Sequence, residues 1–340
     1  MATIQGETIF AYHGLETRTP SSVKVSHVVQ VKSLIKDYLE GVQFDRRTPF
    51  LKDHDLEEVV WDYFKSLNMG EQIEVLVKKK LKLSVTFVHQ AYTSLPFEIR
   101  VMCSTLGVYM FLVEDVAEEF MEGLQHFGQN FVLNKGHQHP ILTNFDTHLR
   151  ALSRYYGAYC YSAIIKSLFD YINGRIIESK MEDSGFKFSS DTRLMPMVLR
   201  TKVGGAEVLF HMLWPKTLFP EERCLIQYFP IIQEMVIFID FTNDILSYYK
   251  EFINDEKANF VANFGETHQM EQLEVLRYLT LYTPQVLASV RRVLQDKGDL
   301  RNAIEQFVAG WIMLCTAHRR YLLVELFADE QYLPPYDEDA

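Results

Sequence analysis

Residues 235–251 read MVIFIDFTNDILSYYKE, and this segment decides the fold class. From residue 235 to 249 the side chains are apolar on almost every face of a helix, which is typical of a helix at the centre of a large bundle. A carboxylate inside such a helix is costly unless it meets a cation, a metal or a hydrogen-bond donor. The polar residues of this segment therefore indicate a site.

Three of these polar residues lie on one stripe of the predicted helix. Asn243, Ser247 and Glu251 are spaced by four residues, so an amide, a hydroxyl and a carboxylate point the same way. Oxygen ligands of this kind suit Mg²⁺, which commonly bridges protein carboxylates to substrate phosphates. Asp244 belongs to the same cluster, and Lys250 lies beside the stripe, where it can contact a phosphate. An ordinary surface stripe is the alternative, but the apolar surroundings argue against it.

A second group of acids follows the apolar stretch 101–113. Glu114 and Glu118 are four residues apart and Asp115 is adjacent, so three carboxylates crowd one region of a predicted helix. Like charges at this spacing repel, and the arrangement costs energy unless a cation binds there. One interpretation is a second metal-binding segment. The other is a solvated acidic segment where the helix leaves the core.

The rest of the chain has the same helical periodicity. Gly and Pro are sparse, and no stretch alternates apolar and polar residues as a half-buried strand would. We therefore predict an all-α protein, with residues 1–340 forming one bundle and loosely ordered tails at about 1–20 and 330–340. The predicted helices, several of them broken internally, span residues 23–39, 56–68, 71–92, 98–124, 145–177, 192–213, 221–252, 270–294 and 299–327.

Composition excludes several classes of protein. The 340 residues are 48% hydrophobic and 23% charged, which is typical of a chain that folds around a sizeable core. The formal net charge of −11 argues against a nucleic-acid ligand. The longest nearly uninterrupted apolar stretch, residues 101–113, is too short to span a bilayer, and no signal peptide is visible. Four widely spaced cysteines favour neither zinc nor disulfides, so we expect a cytoplasmic protein without a membrane span.

A diphosphate site needs fixed cations as well as a metal. Arg200 stands just before a double glycine that begins at Gly204, which predicts a helix break with exposed backbone groups. Arg319, Arg320 and Tyr321 lie in the last predicted helix and offer two guanidiniums and a phenol. Each residue alone is more often a surface or salt-bridging residue. Only their combination supports a diphosphate site.

With these motifs the chain resembles the class I terpene cyclases, and within them the fungal trichodiene synthase-like sesquiterpene cyclases. Residues 243–251, NDILSYYKE, match the family's second metal motif, N-D-x-x-S-x-x-x-E. The LWPK segment at 213–216 and the RRY triplet at 319–321 stand at the family's spacing, and the resemblance covers about residues 94–327. It implies a class I terpenoid synthase bundle with a central active-site cavity.

The resemblance also implies the metal ligands and the reaction. Glu114, Asp115 and Glu118 correspond to the family's aspartate-rich motif, with Glu at two positions where Asp is usual, which shifts a bound metal by a methylene. The residues that correspond to the second metal site are Asn243, Ser247 and Glu251. A cluster of three Mg²⁺ ions is expected. The implied reaction is ionisation of farnesyl diphosphate followed by cyclisation of the allylic cation.

The implied diphosphate contacts are basic or phenolic. Arg200 corresponds to the diphosphate-sensing arginine and Gly204 to the helix break that follows it, while Val203 stands between them where a polar residue is usual. The remaining contacts implied by the resemblance are Lys250, Arg320 and Tyr321. Closure of these groups over the substrate would exclude water, which otherwise quenches a carbocation.

The implied cavity must fold the farnesyl chain and stabilise a cation, and aromatic faces do this by cation–π attraction of up to ~2 kcal/mol each. Because aromatics at helical spacing usually pack in the core, we expect a minority of the candidates to contact substrate. Trp311 has the strongest claim, since it precedes Arg320 on the same predicted helix. Leu314 stands where trichodiene-forming members have an aromatic residue, so trichodiene is not the expected product. The aromatic candidates are Tyr109, Phe87, Phe169, Phe210, Phe238 and Trp311.

Two other functions stay open at this point. A prenyl-chain-elongating synthase shares the fold and the magnesium chemistry, but it normally carries two aspartate-rich motifs, whereas the later motif here is of the Asn/Ser/Glu type. A non-catalytic bundle that binds an isoprenoid or a partner protein is the other alternative, which Glu114 in place of Asp keeps open. His137 and His139 lie in a Gly/Pro loop with no third ligand, and we interpret them as loop residues. The sequence allows a monomer or a homodimer.

Overall fold

Helices provide all the regular secondary structure of the residues that the structure describes. This computed structural model describes residues 22–48, 50–256 and 258–333, and of these the side chains of 22–25, 115 and 116 are left out. No β-strand occurs in these ranges, which confirms the predicted all-α class. The α-helices are α1 (Ser22–Gly41), α2 (His54–Ser66), α3 (Glu71–Ala91), α4 (Phe97–Val116), α5 (Met121–Val132), α6 (Pro140–Ala151), α7 (Ala158–Ser184), α8 (Met195–Val203), α9 (Ala206–His211), α10 (Glu221–Tyr228), α11 (Ile232–Ile253), α12 (Phe260–His268), α13 (Gln272–Val293), α14 (Gly298–Ala317) and α15 (Leu323–Leu326). Single turns of 3₁₀-helix lie at Ala117–Phe120, Leu152–Arg154, Phe229–Ile231 and Arg319–Tyr321.

The central helix is α11, which carries the segment that decides the fold. Most of its side chains are buried, and it packs against α1, α9, α13 and α14. The stretch Glu221–Ile253, which includes α11, is long and apolar enough by length and composition to cross a membrane, and 44% of its most apolar window is buried in the bundle. A core helix of a soluble bundle passes the same test, so this property alone carries no argument for a span.

One continuous hydrophobic core joins the described helices from α1 to the residues after α15. In chain order, its first residue is Val31 in α1 and its last is Leu333. The expected C-terminal tail therefore starts later than residue 330, because Leu333 is 4% exposed and Glu330 forms ion pairs with Lys32 and Lys36 of α1. The remainder of the predicted tails, 1–20 and 334–340, lies outside the described residues.

Several predicted helices are divided in the structure. The predicted helix 98–124 ends as an α-helix at Val116 and passes through a 3₁₀ turn before α5 begins. The predicted helix 145–177 breaks before α7, where the Glu221 carboxylate accepts the backbone N–H groups of Tyr159 and Cys160 at 3.1 and 2.7 Å. This cap satisfies free N–H groups of the helix end from more than sixty residues away, so the local sequence does not reveal it.

The last long helix is also shorter than predicted. His318 has an extended backbone, with φ −75° and ψ 132°, and its Nδ1 accepts the Arg320 backbone N–H at 3.2 Å. The expectation that Trp311 and Arg320 share one helix is therefore wrong, since α14 ends at Ala317. A further helix, α12, lies between residues 252 and 270, where the sequence predicts no helix. Its cap is Asn259, whose side chain accepts the Ala262 N–H at 2.9 Å.

Candidate active site

A cavity of about 300 Å³ lies between the helices that carry most of the predicted site residues. Along three of these helices the lining side chains change from apolar to polar in chain order. The change runs from Cys103 to Glu114 on α4, from Ile239 to Glu251 on α11, and from Trp311 on α14 to Arg320 in the turn that follows it. The polar ends meet: Glu114 Oε1 lies 3.8 Å from Arg320 Nη2, and the Asn243 amide donates to the Tyr321 hydroxyl at 3.1 Å. The cavity thus has a polar end and an apolar end.

The two ends also differ in access to solvent. The side chains of Glu114 and Arg320 are both 37% exposed. Among the apolar lining residues, Phe87 is 4%, Trp311 9% and Leu314 2% exposed. The polar end is therefore the mouth, and the apolar end is closed.

The stripe on α11 reaches this cavity. Asn243 and Glu251 line it, and Ser247 is buried between them on the same face. Burial raises the pKa of the Glu251 carboxyl to about 7, although the nearby Ser247 hydroxyl opposes the shift. Ser247 Oγ has no hydrogen bond of good geometry despite that proximity. The stripe therefore holds a buried hydroxyl without a hydrogen bond of good geometry next to a half-buried carboxyl with a raised pKa.

Arg200, on α8, is tied to α11 by several contacts. Its Nε donates to both carboxylate oxygens of Asp244, and its Nη1 lies 3.1 Å from Asp240 Oδ1. Its Nη2 donates to the Asp240 carbonyl at 3.1 Å and to Asn243 Oδ1 at 3.3 Å. Burial opposes the charge on Arg200, but the two carboxylates outweigh it and raise the pKa of the guanidinium. Burial likewise raises the pKa of both carboxyls, against the opposing pull of Arg200.

The double glycine breaks the helix next to Arg200, as predicted. Helix α8 ends at Val203 and α9 starts at Ala206, while Gly205 has φ +63°, in the left-handed region that favours glycine. Gly204 lines the cavity, and a Cβ placed there would lie 2.1 Å from Asp240 Oδ1 and 2.3 Å from Arg200 Nη1. The missing side chain at residue 204 therefore makes room for the Arg200–Asp240 contact.

The first acidic segment contributes less than its sequence suggests. Glu114 lines the cavity near the end of α4. Glu118 is exposed in the following 3₁₀ turn and does not line the cavity, because the change of helix type rotates it away from the face of Glu114. The side chain of Asp115 lies outside the described residues.

The predicted diphosphate contacts are divided between the mouth and its surroundings. Arg320 and Tyr321 line the cavity from the 3₁₀ turn after α14. Lys250 does not line it, and its Nζ lies 3.2 Å from the Glu256 carboxylate. Since Glu256 itself lines the cavity, Lys250 lies directly behind the lining.

The candidate aromatics divide into lining and core residues. Phe87 and Trp311 line the cavity with their rings edge to face, 5.4 Å apart, and the Trp311 indole N–H donates to the Ile239 carbonyl at 3.2 Å. Leu314 lines the same end. The other four do not line the cavity but pack in the core: the Tyr109 ring stacks on Phe145, the rings of Phe169 and Phe210 meet Phe131 and Trp214 edge to face, and Phe238 is fully buried.

Sequence reasoning missed several polar lining residues. Asp240 binds Arg200 beside Asp244, which the sequence analysis had included, and Asp240 had a detectable signal because a lone acid in an otherwise apolar helix needs a cation. Arg175 and Glu178 of α7 also line the cavity and form an ion pair, and Arg175 donates to the Glu114 carbonyl at 3.1 Å. Their spacing of three residues on a helix matches an ordinary surface pair, so nothing marked them as site residues.

The α11 stripe is the part of the cavity that fits a metal. In residues 22–48, 50–256 and 258–333, no group of three or more His, Cys, Asp and Glu side chains could hold a metal ion. The fit therefore depends on a mixed set of hard oxygen donors, Asn243 Oδ1, Ser247 Oγ and the Glu251 carboxyl, which suits Mg²⁺. The unpartnered Ser247 Oγ supports this assignment, since a buried hydroxyl without a partner is costly. Glu114 lines the same cavity from α4.

Comparison with known proteins places this site in context. The chain is 26% identical over 305 residues to (E)-beta farnesene synthase of Metarhizium brunneum, which covers 88% of this chain and 91% of that protein. It is 25% identical over 333 residues to monoterpene synthase 25 of Postia placenta, which covers 97% of this chain and 95% of that protein.

The fold has solved counterparts as well. The linalool/nerolidol synthase of Streptomyces clavuligerus in complex with 2-fluorogeranyl diphosphate superposes with a TM-score of 0.59 at 12% identity, covering 82% of this chain and 96% of that chain. The similarity shows a shared all-α fold. The family model described as trichodiene synthase (TRI5) matches residues 68–333, a range that includes every described residue of the cavity lining. On this match, the chain belongs to the trichodiene synthase family.

Proposed function

We propose that this terpene synthase is a Mg²⁺-dependent sesquiterpene cyclase, which ionises farnesyl diphosphate, cyclises the carbocation and releases diphosphate. The division of one cavity into a basic, oxygen-rich mouth and a closed aromatic end is the observation that carries the proposal. A prenyl diphosphate has the same division, with a charged head and an apolar tail. Relatives named as farnesene and monoterpene synthases support this substrate class.

The diphosphate head would bind at the mouth. Arg320 and Tyr321 offer a guanidinium and a phenol there, and charge-assisted hydrogen bonds from Arg to phosphate are strong. Arg200 would add positive charge from α8, although its guanidinium already donates hydrogen bonds to three residues of α11. Lys250 would reach the head after leaving Glu256. Together these groups offset the negative charge that develops on the departing diphosphate.

The metal would bind between the head and α11. Asn243, Ser247 and Glu251 would hold Mg²⁺, with Glu114 facing them from α4, and the family resemblance favours a cluster of three ions. When bound, Mg²⁺ supplies Lewis-acid stabilisation of the leaving group. For Asn243 to act as a ligand, its Oδ1 must release the 3.3 Å hydrogen bond from Arg200. Metal binding and the position of Arg200 are therefore linked through one side chain.

The closed end would shape and shelter the cation. The Trp311 ring is held in one orientation by its hydrogen bond to the Ile239 carbonyl and by the edge of Phe87. Two aromatic faces fixed in this way stabilise a cation by up to ~2 kcal/mol each. Burial of Phe87, Trp311 and Leu314 excludes water from this end, which protects the carbocation until the cascade ends.

A substrate panel tests this proposal. The purified chain is incubated with Mg²⁺ and geranyl, farnesyl or geranylgeranyl diphosphate, and products are identified by gas chromatography with mass spectrometry. A cyclic C15 hydrocarbon or alcohol from farnesyl diphosphate is expected. Longer diphosphates on addition of isopentenyl diphosphate would favour elongation instead, and no turnover of any substrate would favour a non-catalytic isoprenoid-binding bundle.

The same proposal includes the organisation of the chain. One domain over residues 1–340, in the cytoplasm, as a monomer or a homodimer, is consistent with the continuous core of the described helices. Light scattering coupled to size-exclusion chromatography would distinguish the two oligomeric states.

A further inference from the structure

Helix α7 binds the end of α4 through two main-chain carbonyls. The Tyr171 hydroxyl donates to the Met110 carbonyl at 3.0 Å. One terminal nitrogen of Arg175, Nη2, donates to the Glu114 carbonyl at 3.1 Å. The two donors are four residues apart on α7, and the two carbonyls are four residues apart on α4. Because residues at this spacing share one face of a helix, one face of α7 follows α4 to its end.

The Glu114 carbonyl lies where a helix lacks internal partners. Glu114 is the third-last residue of α4, and an α-helix leaves its last four carbonyls without a partner inside the helix. Arginine side chains satisfy carbonyls at this end of a helix, and their charge interacts favourably with the helix dipole. The backbone then changes to a 3₁₀ turn at Ala117. Arg175 therefore holds the last turn of α4 at the point where its regular geometry ends.

Arg175 is itself oriented by Glu178, one turn further along α7. Its other terminal nitrogen, Nη1, forms an ion pair with the Glu178 carboxylate, and both half-buried side chains line the cavity. Burial raises the pKa of Glu178, the Arg175 guanidinium opposes this shift, and the Glu114 carboxylate adds to it. Both terminal nitrogens of Arg175 thus bind groups of the protein itself.

Close packing at the α8–α9 helix break fixes the position of α7. A Cβ placed on Gly174 of α7 would lie 2.9 Å from Val203 Cγ1. A Cβ placed on Gly205 would lie 2.6 Å from Met110 Cε of α4. The break therefore packs against both helices without room for a further carbon atom. Such packing opposes sliding of α7 along α4, so α7 is a rigid support for the end of α4.

We propose that Arg175 is a positioning residue for Glu114: by binding the main-chain carbonyl of Glu114, it keeps the Glu114 carboxylate directed into the cavity, where a metal would bind. This inference rests on the proposed function, because it assigns Glu114 to metal binding. Arg175 contacts neither metal nor substrate in this role. Loss of a group that orients a metal ligand typically lowers metal affinity about 10–100-fold.

Hydrogen exchange tests the contact without metal or substrate. Mass spectrometry compares the parent chain with Arg175→Met, which removes the guanidinium but keeps the apolar stem. We expect faster exchange of the amides of residues 117–120 in Arg175→Met, because the last turn of α4 opens more often. Lys180→Met, which removes an exposed charge from α7, is the matched control and should exchange like the parent chain. Arg175→Lys can still donate to the carbonyl and should recover most of the protection.

A double-mutant cycle tests whether Arg175 acts through Glu114. Calorimetry measures the binding of inorganic diphosphate over a series of Mg²⁺ concentrations. Arg175→Met should need at least about tenfold more Mg²⁺ for half-maximal binding than the parent chain, and Lys180→Met less than about twofold more. When Glu114→Ala is already present, adding Arg175→Met should change the Mg²⁺ requirement by less than about twofold, because the carboxylate that Arg175 positions is absent.

The outcomes distinguish this inference from the proposed function. Unchanged exchange in Arg175→Met would overturn the positioning role, whether or not farnesyl diphosphate is turned over. An equal Mg²⁺ shift with and without the Glu114 carboxylate would also overturn it and would indicate a direct contact of Arg175 with diphosphate. Faster exchange and a Mg²⁺ shift that depends on Glu114, without terpene formation by the parent chain, would support Arg175 and contradict the cyclase proposal. Thermal melting checks that the variants are folded, and Arg175→Gln replaces Arg175→Met if the latter is unstable.

Discussion

Arg200 Nε lies 2.9 and 3.0 Å from the two carboxylate oxygens of Asp244, which joins α8 to the central helix α11. The same guanidinium donates to Oδ1 of Asn243, whose amide donates to Tyr321. One hydrogen-bonded chain thus connects the proposed diphosphate-sensing arginine, the proposed metal ligand and the phenol at the mouth. Every contact in this chain is 3.3 Å or shorter.

Replacing Arg200 should therefore destabilise the fold as well as the site. Arg200→Met leaves Asp240 and Asp244 buried without their cation, and breaking a buried ion cluster in this way costs about 3–5 kcal/mol. Urea unfolding at pH 7 measures the change. Arg154→Met, at an exposed arginine, should change the free energy of unfolding by less than about 0.5 kcal/mol. Equal stability of the two variants would show that the cluster is not stabilising.

Adding a methyl group at the helix break should disturb the same cluster. In Gly204→Ala the new Cβ would overlap Asp240 Oδ1 and Arg200 Nη1, so we expect a loss of about 1–3 kcal/mol in stability and at least tenfold lower turnover. Gly128→Ala, in α5, is the control, because a Cβ added at this position would have no neighbouring atom within 4 Å. That variant should gain about 0.5–1 kcal/mol and keep its turnover. Unchanged turnover in Gly204→Ala would show that the geometry of the helix break between α8 and α9 does not affect catalysis.

Aromatic residues in the cavity and in the core should respond differently to truncation. Trp311→Leu removes a cation-stabilising face and its hydrogen bond to Ile239, so the products should shift toward acyclic or early-terminated terpenes. Phe238→Leu removes a fully buried ring that does not line the cavity. It should lower the melting temperature but leave the product profile unchanged. Gas chromatography of the products of both variants and of the parent chain tests this difference. Identical product profiles for Trp311→Leu and the parent chain would show that Trp311 does not contact the substrate.

Stability should fall in acid because of His148. Burial lowers the pKa of this histidine to about 4, against a hydrogen bond to the Met102 carbonyl, whereas its ordinary value is 6.5. Protonation therefore favours the unfolded chain, and the contribution of His148 is complete above pH 6.5 and is lost as the pH falls toward 4. The loss reaches about 2 kcal/mol at pH 5. The free energy of unfolding is measured with urea at pH 7 and pH 5. Its decrease between these pH values should be about 2 kcal/mol smaller in His148→Gln than in the parent chain. An equal decrease in the two proteins would contradict the role of His148.

The part of the site that the sequence predicts best lies on one helix. Asn243, Ser247 and Glu251 are spaced at helical intervals, so local geometry alone aligns them. Glu118 shows the limit of the same argument, because it assumes that the α-helix continues, and a 3₁₀ turn after Val116 invalidates it. The start of α7 could not be predicted from the local sequence either, since Glu221 caps it from a distant part of the chain.

The other differences between the sequence-based predictions and the structure arise from which helices pack against each other. Phe87 and Phe238 have the same helical periodicity, and only the arrangement of neighbouring helices decides that one ring borders a cavity and the other fills the core. Asp240 was detectable as a costly buried acid, but its partner Arg200 is forty residues away and could be assigned only in three dimensions.

Diphosphate release from farnesyl diphosphate, followed as Mg²⁺ is added to the parent chain, to Asn243→Ala and to Glu251→Ala, tests the central claim most directly. Glu274→Ala, at an exposed acid of α13, is the matched control. We predict Mg²⁺-dependent release by the parent chain and the control, abolished by chelation, and release at least about a thousandfold slower in both α11 variants, with the helical circular-dichroism signal retained. Full activity in either α11 variant, or release by the parent chain that does not depend on Mg²⁺, would contradict the account.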